Sequence, residues 1–200
     1  MSKTVDYYLA PQSPWTYLGH ERLRRIVRET GATVRLLPVD LTLVFPVSGG
    51  LPLPKRAPQR QAYRLQELKR FSAWLELPLN LQPQHFPVPG GSAAQLIIAV
   101  NEHDGIDAAM DIASRVLKAV WAEERNIADA PTLAALLAEA GLAPERLAQS
   151  QQPALAEQAA ACTRQAIDAG VFGAPAFVID GELFWGQDRL DFVERKLRSA

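Results

Sequence analysis

Near the start of the chain Val5, Tyr7 and Leu9 alternate with Asp6, Tyr8 and Ala10, the two-residue period of a strand; a strand buried on both faces also tolerates this mixture. Pro11-Gln12-Ser13-Pro14 stops it. From Trp15, the apolar residues Leu18, Leu23, Ile26 and Val27 recur at helical spacing, Gly31 sits where a C-terminal cap belongs, and Thr33 to Val39 reads as a second strand. Residues 44–60 hold four prolines and the pair Gly49-Gly50, which predicts an irregular loop rather than a helix or a paired strand. Leu65, Leu68, Phe71 and Trp74 or Leu75 then give a helix with a wide apolar face, and Pro78 to Gly91 forms another proline-rich connection around Gln84-His85-Phe86-Pro87.

Helical patterns follow over Ala93 to Glu102, Ile106 to about Arg125, Thr132 to Ala140 with Gly141 behind it, and Ala154 to Ala169 with Gly170 behind it. The period then changes to two. Ala176 to Ile179, the turn pair Asp180-Gly181 and Glu182 to Trp185 predict a hairpin with a two-residue primed turn, and a last helix runs from about Arg189 to Leu197. The order is β-α-β, a block of helices, then β-β-α. With the block removed, the flanks have the arrangement of a thioredoxin-like domain. The expected fold is therefore α/β, a thioredoxin-like domain (residues 1–45 and 170–200) interrupted by a loop and an all-helical insertion (46–169).

Composition narrows the chemistry. Twenty-one Lys and Arg against twenty-two Asp and Glu leave a formal net charge of −1, too little to collect phosphate backbones or anionic lipid, so no nucleic-acid or membrane partner is expected. No stretch approaches the roughly 18 apolar residues of a membrane span. Asp6 and Pro11 break up the start of the chain where a signal peptide needs an apolar run, so we expect a cytoplasmic protein. One cysteine, Cys162, closes no disulfide and makes no Cys-x-x-Cys pair; within an alanine-rich helix it reads as a buried inert thiol. His20, His85 and His103 show neither triad nor metal-ligand spacing, and no metal site is expected.

The loop after the first strand lies at the carboxyl end of the sheet, where open α/β folds bind ligands. Here it is Ser13-Pro14-Trp15-Thr16, with Ser13 at the N-cap and Pro14 at the first helical position. Ser13 is either a cap alone or a cap that also serves a ligand. The segment Gly170 to Pro175 joins a long helix to the hairpin, a natural place for a cis X-Pro bond at Ala174-Pro175.

The chain resembles the kappa-class glutathione transferases and the bacterial 2-hydroxychromene-2-carboxylate isomerases. The shared residues are Tyr8-Leu-Ala-Pro-Gln-Ser-Pro-Trp-Thr-Tyr-Leu18, Trp121-Ala-Glu123, Gly170-Val-Phe-Gly-Ala-Pro-Ala-Phe-Val178 and Phe184-Trp-Gly-Gln-Asp-Arg-Leu190, the last favouring the isomerases. The resemblance implies glutathione as cofactor, since Ser13-Pro14-Trp15-Thr16 stands where related disulfide oxidoreductases carry Cys-x-x-Cys. It implies that Ser13 holds the glutathione thiolate, that Ala174 before Pro175 pairs with the cysteine moiety, and that Gln187 and Asp188 hold the γ-glutamyl end. Asp188 has the alternative of capping the last helix; Phe184 and Trp185 read as hairpin core. A small aromatic carboxylate is the implied substrate, received by Trp15 and Phe45, and a homodimer is the implied assembly.

The resemblance breaks in two places. Those isomerases carry Asn and Lys in the loop matching Phe45 to Leu51, where this chain has Gly49-Gly50, and an Arg shortly after the next Phe-Pro, where it has Ala94-Gln95-Leu96. Lys55, Arg56 and Arg60, with Arg64 one turn further on, are close enough in sequence to receive the substrate's carboxylate, or form a solvated basic rim. Arg22, Arg24, Arg25 and Arg28 read as a solvent face. The expected function is a glutathione-dependent isomerase, with a kappa-type transferase and a cysteine-less thioredoxin-like binding module as alternatives.

Overall fold

The computed structural model describes residues 2–199. Four strands, β1 (Thr4–Leu9), β2 (Thr33–Pro38), β3 (Ala176–Ile179) and β4 (Glu182–Trp185), form one sheet in the order β2-β1-β3-β4. β1 runs parallel to β2, with Thr4 opposite Thr33 and Leu9 opposite Pro38, and antiparallel to β3, with Asp6 opposite Val178. The helix α1 (Pro14–Thr30) makes the crossover between the parallel pair. Between β2 and β3 lie α2 (Leu41–Ser48), α3 (Pro58–Leu75), α4 (Gly91–Asp104), α5 (Ile106–Trp121), α6 (Ala130–Glu139), α7 (Glu145–Ser150) and α8 (Pro153–Asp168); α9 (Leu190–Arg198) closes the chain. This is the expected α/β sheet with a helical insertion between its parallel and antiparallel halves.

Local chemistry accounts for the ends of these elements. The Ser13 hydroxyl accepts from the Thr16 N–H at 3.2 Å, Pro14 opens α1, and Gly31 ends it in the left-handed region. Asp180 and Gly181 both have positive φ, 52° and 79°, as a primed hairpin turn requires. β1 is covered on both faces. Val5, Tyr7 and Leu9 join the main core with α1, α5 and α9, while Tyr8 and Ala10 join a smaller cluster with Val39, Ala166 and Val171.

Several elements depart from the sequence reading. Residues 44–60 are not wholly irregular, because α2 runs on to Ser48 through Pro46. The Asp40 carboxylate caps α2 by accepting from the Thr42 N–H at 2.8 Å, Gly49 ends it, and the full burial of Val44 anchors it, which together offset the bond the proline removes. The short α7 has no apolar period long enough to read. α5 stops at Trp121, whose carbonyl accepts from the Asn80 N–H at 2.7 Å. In α3 Leu75 turns toward the core and Trp74 is exposed.

Candidate active site

α1 delivers Ser13 to the carboxyl end of β1, and the same hydroxyl that caps the helix donates to the Ala174 carbonyl at 3.3 Å. Ser13 is buried, and the Ala174–Pro175 peptide is cis, as expected from the sequence. Pro175 is buried beside it, its carbonyl accepting from the Gly186 N–H at 2.9 Å. Behind the loop the Trp121 indole donates to the Gln12 carbonyl at 3.2 Å. Two segments 161 residues apart thus meet at one hydroxyl.

Ala174 forms part of the wall of a cleft of about 490 Å³. Trp15 and Phe71 face it, their rings edge to face at 6.1 Å. Arg56, Arg60, Arg64 and Glu67 line it from α3 and the loop before it; Trp185, Gly186, Gln187, Asp188 and Arg189 line it from the other side. Ser13 reaches this space through Ala174, which it touches, and is not itself on the wall. A wider, shallower depression of about 810 Å³ lies at the opposite end of the strands, around Thr4, Asp6 and Gly181.

The residues singled out by sequence divide accordingly. Trp15, Arg56, Ala174, Gln187 and Asp188 come together at the cleft. Phe45 and Lys55 do not: Lys55 points to solvent, and Phe45 lies under the Arg56 guanidinium, 5.8 Å from its ring centre, a brace for that arginine instead of a wall of the site. Asp188 pairs with Arg189 at 2.9 Å, an exposed pair worth about 0–1 kcal/mol and easily surrendered to a ligand. No side-chain cap bond from Asp188 is made to α9.

Gln187 is buried with its Nε2 unpartnered, and its backbone presses so close to α1 that a Cβ on Gly19 would meet the Gln187 Cβ at 2.8 Å. Arg22 secures it, donating to its carbonyl at 3.3 Å and to Asp191 at 3.1 Å. Arg22 and Arg24 are therefore sheltered structural cations, while Arg25 and Arg28 stay in solvent. Trp185 corrects the hairpin-core reading. It is 51% exposed and packs its ring on Phe172 at 4.8 Å, because the strand alternation gives the core face to Phe184. Phe71 and Trp185 were legible as aromatic residues but not as walls of one space.

Three titratable groups among the described residues are strongly perturbed; burial raises the Tyr7 hydroxyl far above its ordinary value. Desolvation first, then the charge of Arg56, pull the Arg64 guanidinium down to about 10, still a cation at neutral pH. His20 is fully buried away from the cleft, and desolvation pushes its imidazole down to about 4. Its Nε2 stands 2.8 Å from the Met110 carbonyl, which only accepts, so Nε2 carries the proton and Nδ1 accepts from the Tyr7 hydroxyl at 3.1 Å. Burial also raises the Cys162 thiol, which disfavours its nucleophilic form. Among the described residues no cluster of three or more His, Cys, Asp or Glu is placed to hold a metal ion, and no helix is long and apolar enough to cross a membrane.

A mixed sheet with a helical insertion and a capped α1 facing a cis-proline define the class: the chain belongs to the DSBA-like thioredoxin domain family, whose model matches residues 4–198. Within it, the chain is similar to two kinds of enzyme. It is 29% identical over 199 residues to the 2-hydroxychromene-2-carboxylate isomerase of Sphingobium xenophagum, covering 98% of this chain and 99% of that protein. It is 28% identical over 211 residues to human glutathione S-transferase kappa 1, covering 98% and 92%. A solved 2-hydroxychromene-2-carboxylate isomerase superposes with a TM-score of 0.78 at 25% identity, over 96% of this chain and 93% of the other. The chain is thus a member of the isomerase and kappa-transferase group, as its motifs imply.

Proposed function

We propose that the protein is a glutathione-dependent isomerase acting on an aromatic carboxylate, with Ser13 stabilising the glutathione thiolate. One observation carries this reading: the Ser13 hydroxyl, at the amino end of α1, meets the backbone of Ala174, and Ala174 lines a cleft bearing both signs of charge. The donor set fits the tripeptide. Asp188 and Glu67 suit its α-ammonium, Arg56 and Arg60 its carboxylates, and the helix end its sulfur. In this reading residues 1–45 and 170–200 supply the sulfur site, 46–169 supply the opposite wall, and the protein works as a homodimer in the cytoplasm.

Bound glutathione would supply a nucleophilic sulfur whose reversible addition to an electrophilic double-bonded carbon lets the neighbouring bond turn. The chain's part is electrostatic. A thiol with a pKa near 8.5 is only a few per cent ionised at pH 7, and each unit of depression takes about 1.4 kcal/mol of preferential interaction with the anion. The Ser13 O–H supplies some of it by turning from the Ala174 carbonyl toward the sulfur. Its present bond, at 3.3 Å, is long for a hydroxyl donor and costs little to give up. The α1 amino end adds its dipole. No base is needed beside Ser13, because the hydroxyl donates and does not attack.

Calorimetric titration with glutathione tests the reading. Saturable binding by the wild type, weakened at least about tenfold by Asp188→Ala through loss of a charged hydrogen bond, is the expected result. No saturable binding would leave the cysteine-less binding module. The likeness to the human kappa transferase favours a second reading in which a glutathione conjugate is released. Stoichiometric consumption of glutathione during turnover marks that outcome, and unchanged glutathione marks isomerisation.

A further inference from the structure

We infer that Arg64 is the specificity-determining anchor for the substrate's carboxylate, held against Phe86 and Trp121 on the wall of the cleft with no carboxylate of its own. The bearer of that carboxylate rests on the isomerase reading above; the anion site itself rests on the geometry that follows.

Half-buried arginines away from the cleft have acidic partners, whereas Arg56 in the cleft donates only to the Leu51 carbonyl at 2.7 Å. Arg22 meets Asp191 at 3.1 Å, Arg24 meets Glu21 at 3.0 Å, Arg125 meets Glu139 at 3.0 Å and Arg146 meets Asp104 at 2.6 Å. Arg64 is half-buried like them, yet among the described residues it makes no salt bridge and no side-chain hydrogen bond. Glu67, one turn further along α3, is turned to Arg70 instead. A desolvated cation without a partner is costly, and a fold keeps it where an anion arrives to complete it.

The surroundings say which kind of anion. The Arg64 Cζ lies 5.4 Å from the Phe86 ring centre and 5.6 Å from that of Trp121, and the two rings stand 4.8 Å apart, tilted by 52°. Rings against the guanidinium hold it in place by cation–π attraction, and its N–H edge, which has no hydrogen-bond partner among the described residues, is left for a ligand. That edge matches a planar carboxylate through two parallel bonds. Beyond it, Trp15 and Phe71 offer an aromatic wall, and Arg56 and Arg60 add positive potential that draws anions in. An aromatic acid satisfies the rings and the fork together. The clamp is itself fixed, because Trp121 is tied by its indole to the Gln12 carbonyl just before Ser13.

The test titrates 2-naphthoate and the neutral 2-naphthamide into the wild type, Arg64→Met and Arg64→Lys, each with and without saturating glutathione. Arg64→Met is expected to weaken naphthoate roughly 30-fold, the value of a charged hydrogen-bonded contact, while naphthamide and glutathione affinities stay at wild-type values. Arg64→Lys, which keeps the charge and loses the fork, is expected to weaken naphthoate about fivefold, and it decides the matter if the methionine variant does not fold. Wild-type naphthoate affinity in either variant overturns the inference. So does an equal loss for naphthamide, which makes Arg64 mere packing, or a loss of glutathione in place of naphthoate, which gives Arg64 to the peptide. A wild type that binds naphthoate through Arg64 but never binds glutathione sinks the cofactor reading and leaves the anion site standing.

Discussion

The seam between α1 and α5 and the α3 wall of the cleft each contain a titratable side chain pulled down by desolvation, and they use it in opposite ways. At the seam, His20 has a partner on each nitrogen, the Met110 carbonyl and the Tyr7 hydroxyl, and Tyr7 in turn stacks on Phe177 at 5.4 Å. Nothing is left over, and the group is structural. On the α3 wall, Arg64 has two rings beside it and no acceptor for its N–H groups among the described residues. Desolvation alone does not mark a functional group; desolvation without satisfaction does.

The sharpest way to break the comparison is at the seam. His20→Phe leaves the Met110 carbonyl and the Tyr7 hydroxyl without their partner, and we expect a loss of about 2–4 kcal/mol of stability with unchanged turnover per folded molecule, read by denaturant melts and kinetics. The wild type should also show a pH dependence the variant lacks. Burial lowers the folded-state pKa of His20 from 6.5 to about 4, so between those values the unfolded chain binds more protons. Stability from this group is complete above about pH 6.5 and is lost, by about 3 kcal/mol in all, as pH falls through 4. An identical slope in His20→Phe would refute the assignment.

Next in size comes Ser13→Ala. Loss of the donor should cut turnover at pH 7 about 10- to 100-fold, the equivalent of one to two pKa units on the thiol, and abolish the thiolate band in the ultraviolet difference spectrum with glutathione. The lost cap, worth about 1 kcal/mol, should lower Tm by only about 2–4 °C. Wild-type turnover would remove Ser13 from the mechanism. The smallest effect sharpens the contrast with His20. Arg64→Met removes an unsatisfied cation, so the ligand-free protein should gain stability, with Tm rising by about 2–4 °C in scanning calorimetry, whereas the same change at the seam destabilises.

Much of the framework was legible because its causes are local. Ser13 with Pro14, Gly31, and Asp180 with Gly181 are cap and turn chemistry acting within a few residues, and each stands where the sequence reading put it. The helix α2 was missed although Asp40 and Gly49 are present as cap and stop, because prolines in the window outweighed them; the burial of Val44 tips the balance in the folded chain. Trp185 was assigned to the wrong face because an aromatic residue beside another in a four-residue strand has no period long enough to separate them.

By itself, then, the sequence determined the strands, the capped loop at Ser13, the turn and the order of elements that marks the family, since hydrogen bonds and side-chain periods over short spans fix these. Packing alone decided that Lys55 and Phe45 stand away from the cleft, that Arg22 braces Gln187, and that Arg64 lies against Phe86 and Trp121 with no acid paired to it. Whether a charge is paired depends on which distant segments pack around it, and that is settled by burial of the whole core, not by its neighbours along the chain.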